Sequence, residues 1–172
     1  MKALSITVPV AAALALTASA LAAAHAAPQR FTISEADNSI APNHAQPVSV
    51  HVRAVGPIAG EGSGVIRTIP AGGKVDRVVL TLPKGTVSLK ATDTFAAVHP
   101  NYAACKAALV GRGTFSIISG TGAFAGATGN GTYVRSGTLL GRRSSTGTCL
   151  PKATPTASFV TIQLTGTSTL GS

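Results

Sequence analysis

Gly120-Thr121-Gly122-Ala123-Phe124-Ala125-Gly126-Ala127-Thr128-Gly129-Asn130-Gly131 is the stretch on which the reading of this chain turns. A glycine-rich run invites comparison with a dinucleotide loop, which needs G-x-G-x-x-G directly before a helix. Ala125 stands where the third glycine would be. The residues that follow, Gly131–Leu140, have the pattern of a strand, as do Thr114–Ser119 before the run. Nucleotide binding is therefore rejected, and the segment is read as a turn between two strands.

Working outward, the same extended pattern recurs. Val48, Val50 and Val52 alternate with Ser49, His51 and Arg53, which marks a strand with one buried face. Further strands are expected at Arg30–Ala36, Ile58–Ile69, Val75–Leu82, Val87–Asp93, Gly113–Ser119, Gly131–Leu140 and Ser158–Thr165. Pro83-Lys84-Gly85-Thr86 is turn sequence between two of them. Asn38–Pro47, with Pro42, Asn43 and Pro47, reads as a loop. Ala96–Leu109 is the one stretch expected to hold a helical turn. About eight short strands with short connections indicate an all-β barrel or sandwich. Gly, Thr, Ser and Val are abundant and Glu and Lys scarce, which agrees.

The glycine-rich segment closely resembles the G-T-G-x-F-x-x-A-x-G signature of the allene oxide cyclase and dirigent-like superfamily. The matching residues are Gly120, Thr121, Gly122, Phe124, Ala127 and Gly129; Ser119 stands where the family often has a further glycine. The likeness is strong over about twenty residues and looser over Gly60–Val134. It is greatest to the secreted bacterial members, which carry a signal peptide and a cysteine on either side of the motif. The resemblance implies an antiparallel eight-stranded barrel and a structural motif whose glycines permit a tight turn and whose Phe124 plugs the barrel end. It implies no bound cofactor, a small apolar or phenolic ligand held by positioning and water exclusion, and a trimer as in the plant members. It also brings two alternatives: an isomerase or cyclase or dirigent-type guide protein, and a non-catalytic cell-surface scaffold. Few acids and few aromatics set this chain apart from enzymes that use pocket carboxylates and from binders of phenols.

The chain opens with Lys2, an apolar run from Ala3 to Ala24 and the exit Ala24-His25-Ala26, the layout of a secretory signal peptide. Pro9 shortens the apolar run below the length of a membrane span, so cleavage after Ala26 is expected in preference to a retained anchor. The expected organisation is a leader over 1–26, an N-terminal strand and loop over 27–47 and a barrel over 48–172, with a secreted product free of stable membrane insertion. Losing Lys2 takes the net charge from +9 to +8. The basic residues are scattered and aromatics few, which excludes nucleic acid as a partner. An exported chain with two cysteines, Cys105 and Cys149, is expected to pair them. No histidine stands at a metal-like spacing from either, so no metal is expected.

The candidate site is a pair of carboxylates. A four-residue Pro83–Thr86 loop places Asp76 opposite Asp93, close enough for one to hold a proton to higher pH and for the pair to serve as donor and acceptor. A two-residue loop instead places Asp76 opposite Ala91. Tyr133 and Glu61 are the candidate ligand contacts, Glu61 being read as the one other acid in the barrel strands. His51 and His99 are read as solvated, and no serine lies in a G-x-S-x-G context.

Overall fold

The computed structural model describes residues 25–37, 47–69 and 73–171. Nearly all of the expected leader and most of the Asn38–Pro47 loop lie outside them. The described chain is all-β. β1 (Ala27–Asp37), β2 (Val48–Val55), β3 (Gly60–Thr68), β4 (Val75–Leu82), β5 (Gly85–Asn101), β6 (Lys106–Gly120), β7 (Thr128–Leu140) and β8 (Ala157–Thr169) follow one another around a closed barrel. Every neighbouring pair is antiparallel, and β1 closes the cylinder by pairing with β8 from Ala27↔Ser168 to Asp37↔Ser158. The barrel therefore starts at Ala27, and the segment expected to precede it supplies one of its staves.

Period-two alternation decides which side chains fill the interior. β2 buries Val48, Val50, Val52 and Ala54 and exposes the residues between them. β4 and β5 add Val78, Leu80, Leu82, Val87, Leu89 and Ala91. Across the middle, Phe31 meets Phe115 edge to face with ring centroids 6.2 Å apart. Such pairs add about 0.5–1.5 kcal/mol beyond their burial. The lumen is thus a packed core.

The glycine-rich segment forms a 3-10 turn, Gly122–Phe124, that folds over one end of this core and buries Phe124. The turn is clasped to the β4–β5 hairpin: Thr121 donates its N–H to the Thr86 carbonyl at 2.9 Å and Ala123 to that of Lys84 at 2.8 Å. Gly85, at φ +150°, makes the clasp possible, because a Cβ there would lie 2.0 Å from the Thr121 carbonyl oxygen. Gln29 seals the same end. Its amide accepts from the Ile58 N–H at 3.0 Å and the Ser168 hydroxyl at 3.0 Å, and donates to the Ile58 carbonyl at 2.9 Å.

At the other end the strands are unequal. β5 pairs with β4 only as far as Val75↔Thr92, yet continues with β6 to Asn101↔Lys106. β5 and β6 therefore rise past β4 as an arm, flanked by β7, which stays paired with β8 up to Leu140↔Ala157. The helical turn expected within Ala96–Leu109 is replaced by the end of β5, a turn through Tyr102–Cys105 and the start of β6. Tertiary pairing overrides the helix propensity of the alanines here. Cys105 and Cys149 are disulfide-bonded, with Cα atoms 5.3 Å apart, and tie the arm's tip to the 141–156 loop.

Candidate functional site

Two places on the open side of the molecule gather chemistry: the barrel rim and the groove beneath the arm's tip. The rim is built on a gap in β6. Gly111 and Gly113 present no side chain to the interior, and Arg135 and Tyr133 of β7 lie across them toward β5. A Cβ on Gly113 would come within 2.6 Å of the Tyr133 ring, and one on Gly111 within 2.4 Å of Arg135 Nε. Asp93 is the target of both. The Tyr133 hydroxyl donates to Asp93 Oδ1, and Arg135 Nη2 bonds Oδ2 at 2.7 Å. The ion pair is about five-sixths buried on each side, with side-chain exposures of 15% and 16%. Burial, and then the bond to the Asp93 carboxylate, push the Tyr133 phenol well above its ordinary value.

The two aspartates are not cross-strand partners. Leu82 pairs with Gly85 across a two-residue Pro83-Lys84 loop, so Asp76 faces Ala91 and Asp93 faces Gly113. The clasp on Gly85 favours this shorter turn over the four-residue loop that would have opposed them. Asp76 accepts a bond from the Thr68 hydroxyl at 2.7 Å. It shares with Arg135 the lining of two small voids at the rim, of about 30 and 20 Å³. These hold one or two waters at most. Arg135 Nε is buried beside them and has no partner among the described residues.

Glu61 belongs elsewhere. It lies on the outer wall opposite Arg53, 3.5 Å from its Nε, with both side chains about two-thirds exposed at 65% and 68%. Its place in the interior is taken by Glu35 of β1, buried at the rim and bonded by the Ser158 hydroxyl at 3.1 Å. Glu35 shares the parity of Phe31 and Ile33, and that alternation was the available signal. Arg135 shares the parity of Tyr133, but it points inward only because Gly111 leaves room, a pairing not evident in the linear sequence.

The larger space lies outside the barrel. A groove of about 370 Å³ runs between the arm and the 141–156 loop. Val98, Pro100, Tyr102, Leu139, Leu150 and Pro151 line it together with Cys105 and Cys149 of the disulfide. Lys106 is the charged side chain on its lining. The loop is held by backbone bonds, Leu150 N–H to the Arg142 carbonyl at 2.8 Å and Gly141 N–H to that of Cys105 at 2.8 Å. Arg143 braces it by donating to the Gly147 carbonyl at 2.8 Å and the Ala104 carbonyl at 3.2 Å.

Comparison with family models, curated proteins and solved structures finds no match to this chain. Among the described residues no helix is long and apolar enough to cross a membrane, and no cluster of His, Cys, Asp and Glu is arranged to hold a metal.

Proposed function

We propose that this is an exported binding protein of allene oxide cyclase and dirigent-like type, which takes a small apolar or aromatic ligand in the groove beside its disulfide. The observation that carries this reading is the division of space: the lumen is packed, the rim voids are water-sized, and the groove, at about 370 Å³, lies within the range of small-molecule sites. Its lining of Val98, Pro100 and Leu139 suits an apolar body, and the Tyr102 and Lys106 side chains supply polar handles. The apolar leader and the paired cysteines support export. Isomerase chemistry at the rim has less support, since Asp76 and Asp93 already have partners and, among the described residues, the two voids that Asp76 lines are water-sized.

Two measurements test it. Export from a cell that recognises the leader is expected to yield a chain beginning at Ala27, read by N-terminal sequencing; retention of residues 1–26 removes the extracellular reading. Titration with 4-propylphenol is expected to shift amide resonances of Val98, Lys106 and Leu139, and Ala107→Trp, which fills the groove, is expected to abolish those shifts. Shifts confined to residues lining the lumen, or unchanged in Ala107→Trp, remove the groove from consideration.

A further inference from the structure

The charges of this chain are divided along its length. All five acids, Glu35, Asp37, Glu61, Asp76 and Asp93, fall at or before position 93. From 94 to the end there are six basic residues and no acid. Two of the six are spent on the barrel side: Arg135 on Asp93, and Arg112, which lies over the Phe95 ring at 5.4 Å. The other four, Lys106, Arg142, Arg143 and Lys152, gather at the arm's tip, where all are exposed. The contacts of the groove and loop place them around one spot. Lys106 lines the groove, Arg142 and Arg143 flank the loop's bonds to Cys105 and Ala104, and Lys152 adjoins Pro151 of the same lining.

The same tip presents apolar side chains to solvent. Tyr102 is 60% exposed, Val98 53% and Leu150 39%. Exposed cations alone would describe a soluble surface or a site for a hydrated polyanion. Cations surrounding exposed Tyr, Leu and Val describe a different partner, because a hydrated polymer gives those side chains nothing to bury against. An anionic bilayer does both: phosphates accept the ammonium and guanidinium groups, and the boundary between headgroups and acyl chains takes Tyr and Leu.

We infer that the disulfide-bound tip of the arm docks this protein, without spanning, on an anionic phospholipid surface. The disulfide and the Arg143 bonds to two carbonyls hold the turn at Tyr102 and the loop at Leu150 side by side, so the apolar pair enters the interface with little ordering cost. Glu35, Asp76 and Asp93 stand back at the rim with partners of their own, so they do not oppose the tip. Docking uses Val98, Tyr102, Leu150 and Lys106, which also line the groove, so it turns the groove toward the bilayer.

The test is co-sedimentation with sucrose-loaded vesicles, using the chain from Ala27 onward. All eight staves are retained in it, and the apolar leader, which would bind lipid by itself, is gone. Binding is expected to vesicles of one-third phosphatidylglycerol in phosphatidylcholine and not to phosphatidylcholine alone. It should weaken as ionic strength rises from about 0.15 to about 1 M, where the screening length falls from about 8 to about 3 Å. Arg142→Gln and Lys152→Gln should each cost about fivefold in partition, and Tyr102→Ser with Leu150→Ser about tenfold or more. Arg30→Gln and Lys90→Gln on the barrel wall should cost less than twofold. Unchanged circular dichroism confirms that each variant is folded. Equal binding to neutral vesicles, no binding to either, or equal losses from the wall and tip charges overturns the inference. Binding to soluble dextran sulfate at equal strength, indifferent to Tyr102→Ser and Leu150→Ser, overturns it in favour of a polyanion. None of these outcomes bears on 4-propylphenol binding, which is measured without lipid.

Discussion

The two ends of this barrel are closed and opened by different chemistry. At one end a neutral set, Gln29, Ile58, Phe124 and Ser168, is almost wholly buried. It is knit by amide and hydroxyl bonds and by backbone segments that approach as closely as glycine permits. At the other end, charges meet across the rim, and beyond them a cationic arm carries exposed apolar side chains. The neutral end has no spare valence, since each polar atom of Gln29 is bonded within the fold. The charged end has a guanidinium nitrogen with no partner among the described residues, water-sized voids and an open groove. Stability is concentrated where the motif lies, and the capacity to meet other molecules where it does not.

That contrast can be broken most readily at the plug. Phe124→Ala is expected to cost about 3–5 kcal/mol, read as a fall in the urea midpoint with an unchanged slope. A loss below about 1 kcal/mol would show that the motif merely caps a barrel stable without it. Next in size is Cys105→Ser with Cys149→Ser, which frees a loop of 44-residue separation. A cost of about 2–4 kcal/mol is expected on chain-entropy grounds. Hydrogen exchange sharpens it: amides of the arm's tip should lose protection beyond the global change while those near Gln29 follow it. Uniform loss would mean that the arm and the plug form one cooperative unit. Gly113→Ala comes third, at about 1–3 kcal/mol. Its Cβ would lie 2.1 Å from the Thr92 carbonyl oxygen as well as against the Tyr133 ring.

The sequence was most readable where one residue type did one job. Val48, Val50 and Val52 announce an inward face, and the structure buries all three, with Ala54 beside them. The turn at Gly120–Phe124 was legible because glycine spacing and a lone aromatic leave few alternatives. The Pro83–Thr86 hairpin was not, because two loop lengths fit the same letters. The choice rests on a contact between Gly85 and Thr121, thirty-six positions apart in the chain. Alternation likewise put Asp93 on the inward parity of Val87, Leu89 and Ala91 but left the face of Tyr133 open, and did not say that the two touch. That contact needs β5, β6 and β7 in register and two glycines in the strand between them. The direction of Glu61, a candidate ligand contact, was not legible because its parity groups it with Val65 and Ile69 but also with Ser63 and Arg67. The groove was invisible for the same reason as the arm: a proline-bearing, alanine-rich stretch with one cysteine has no local signature of a strand that outruns its neighbours.

The smallest expected effect isolates the rim by its chemistry. Tyr133→Phe removes one hydroxyl bonded to a carboxylate and leaves the Asp93–Arg135 pair, so the cost near neutral pH is about 1.5 kcal/mol. Its pH dependence is the more telling part. Burial and the bond to Asp93 raise the folded phenol above its ordinary value of 10.0. The unfolded chain therefore releases that proton first. The stability held by the neutral phenol is complete below pH 10 and drains away as pH rises toward the folded value, at about 1.4 kcal/mol per pH unit. Tyr133→Phe has no such proton, so the difference between its stability and that of the parent should shrink with the same slope above pH 10 and stay constant below it. The neutral end offers no counterpart, because Gln29 does not titrate. A Gln29 variant should keep a constant offset from the parent throughout. If the Tyr133→Phe offset is also constant through alkaline pH, the hydroxyl does not donate to Asp93, and the rim loses the bond that draws β7 across β6 to β5.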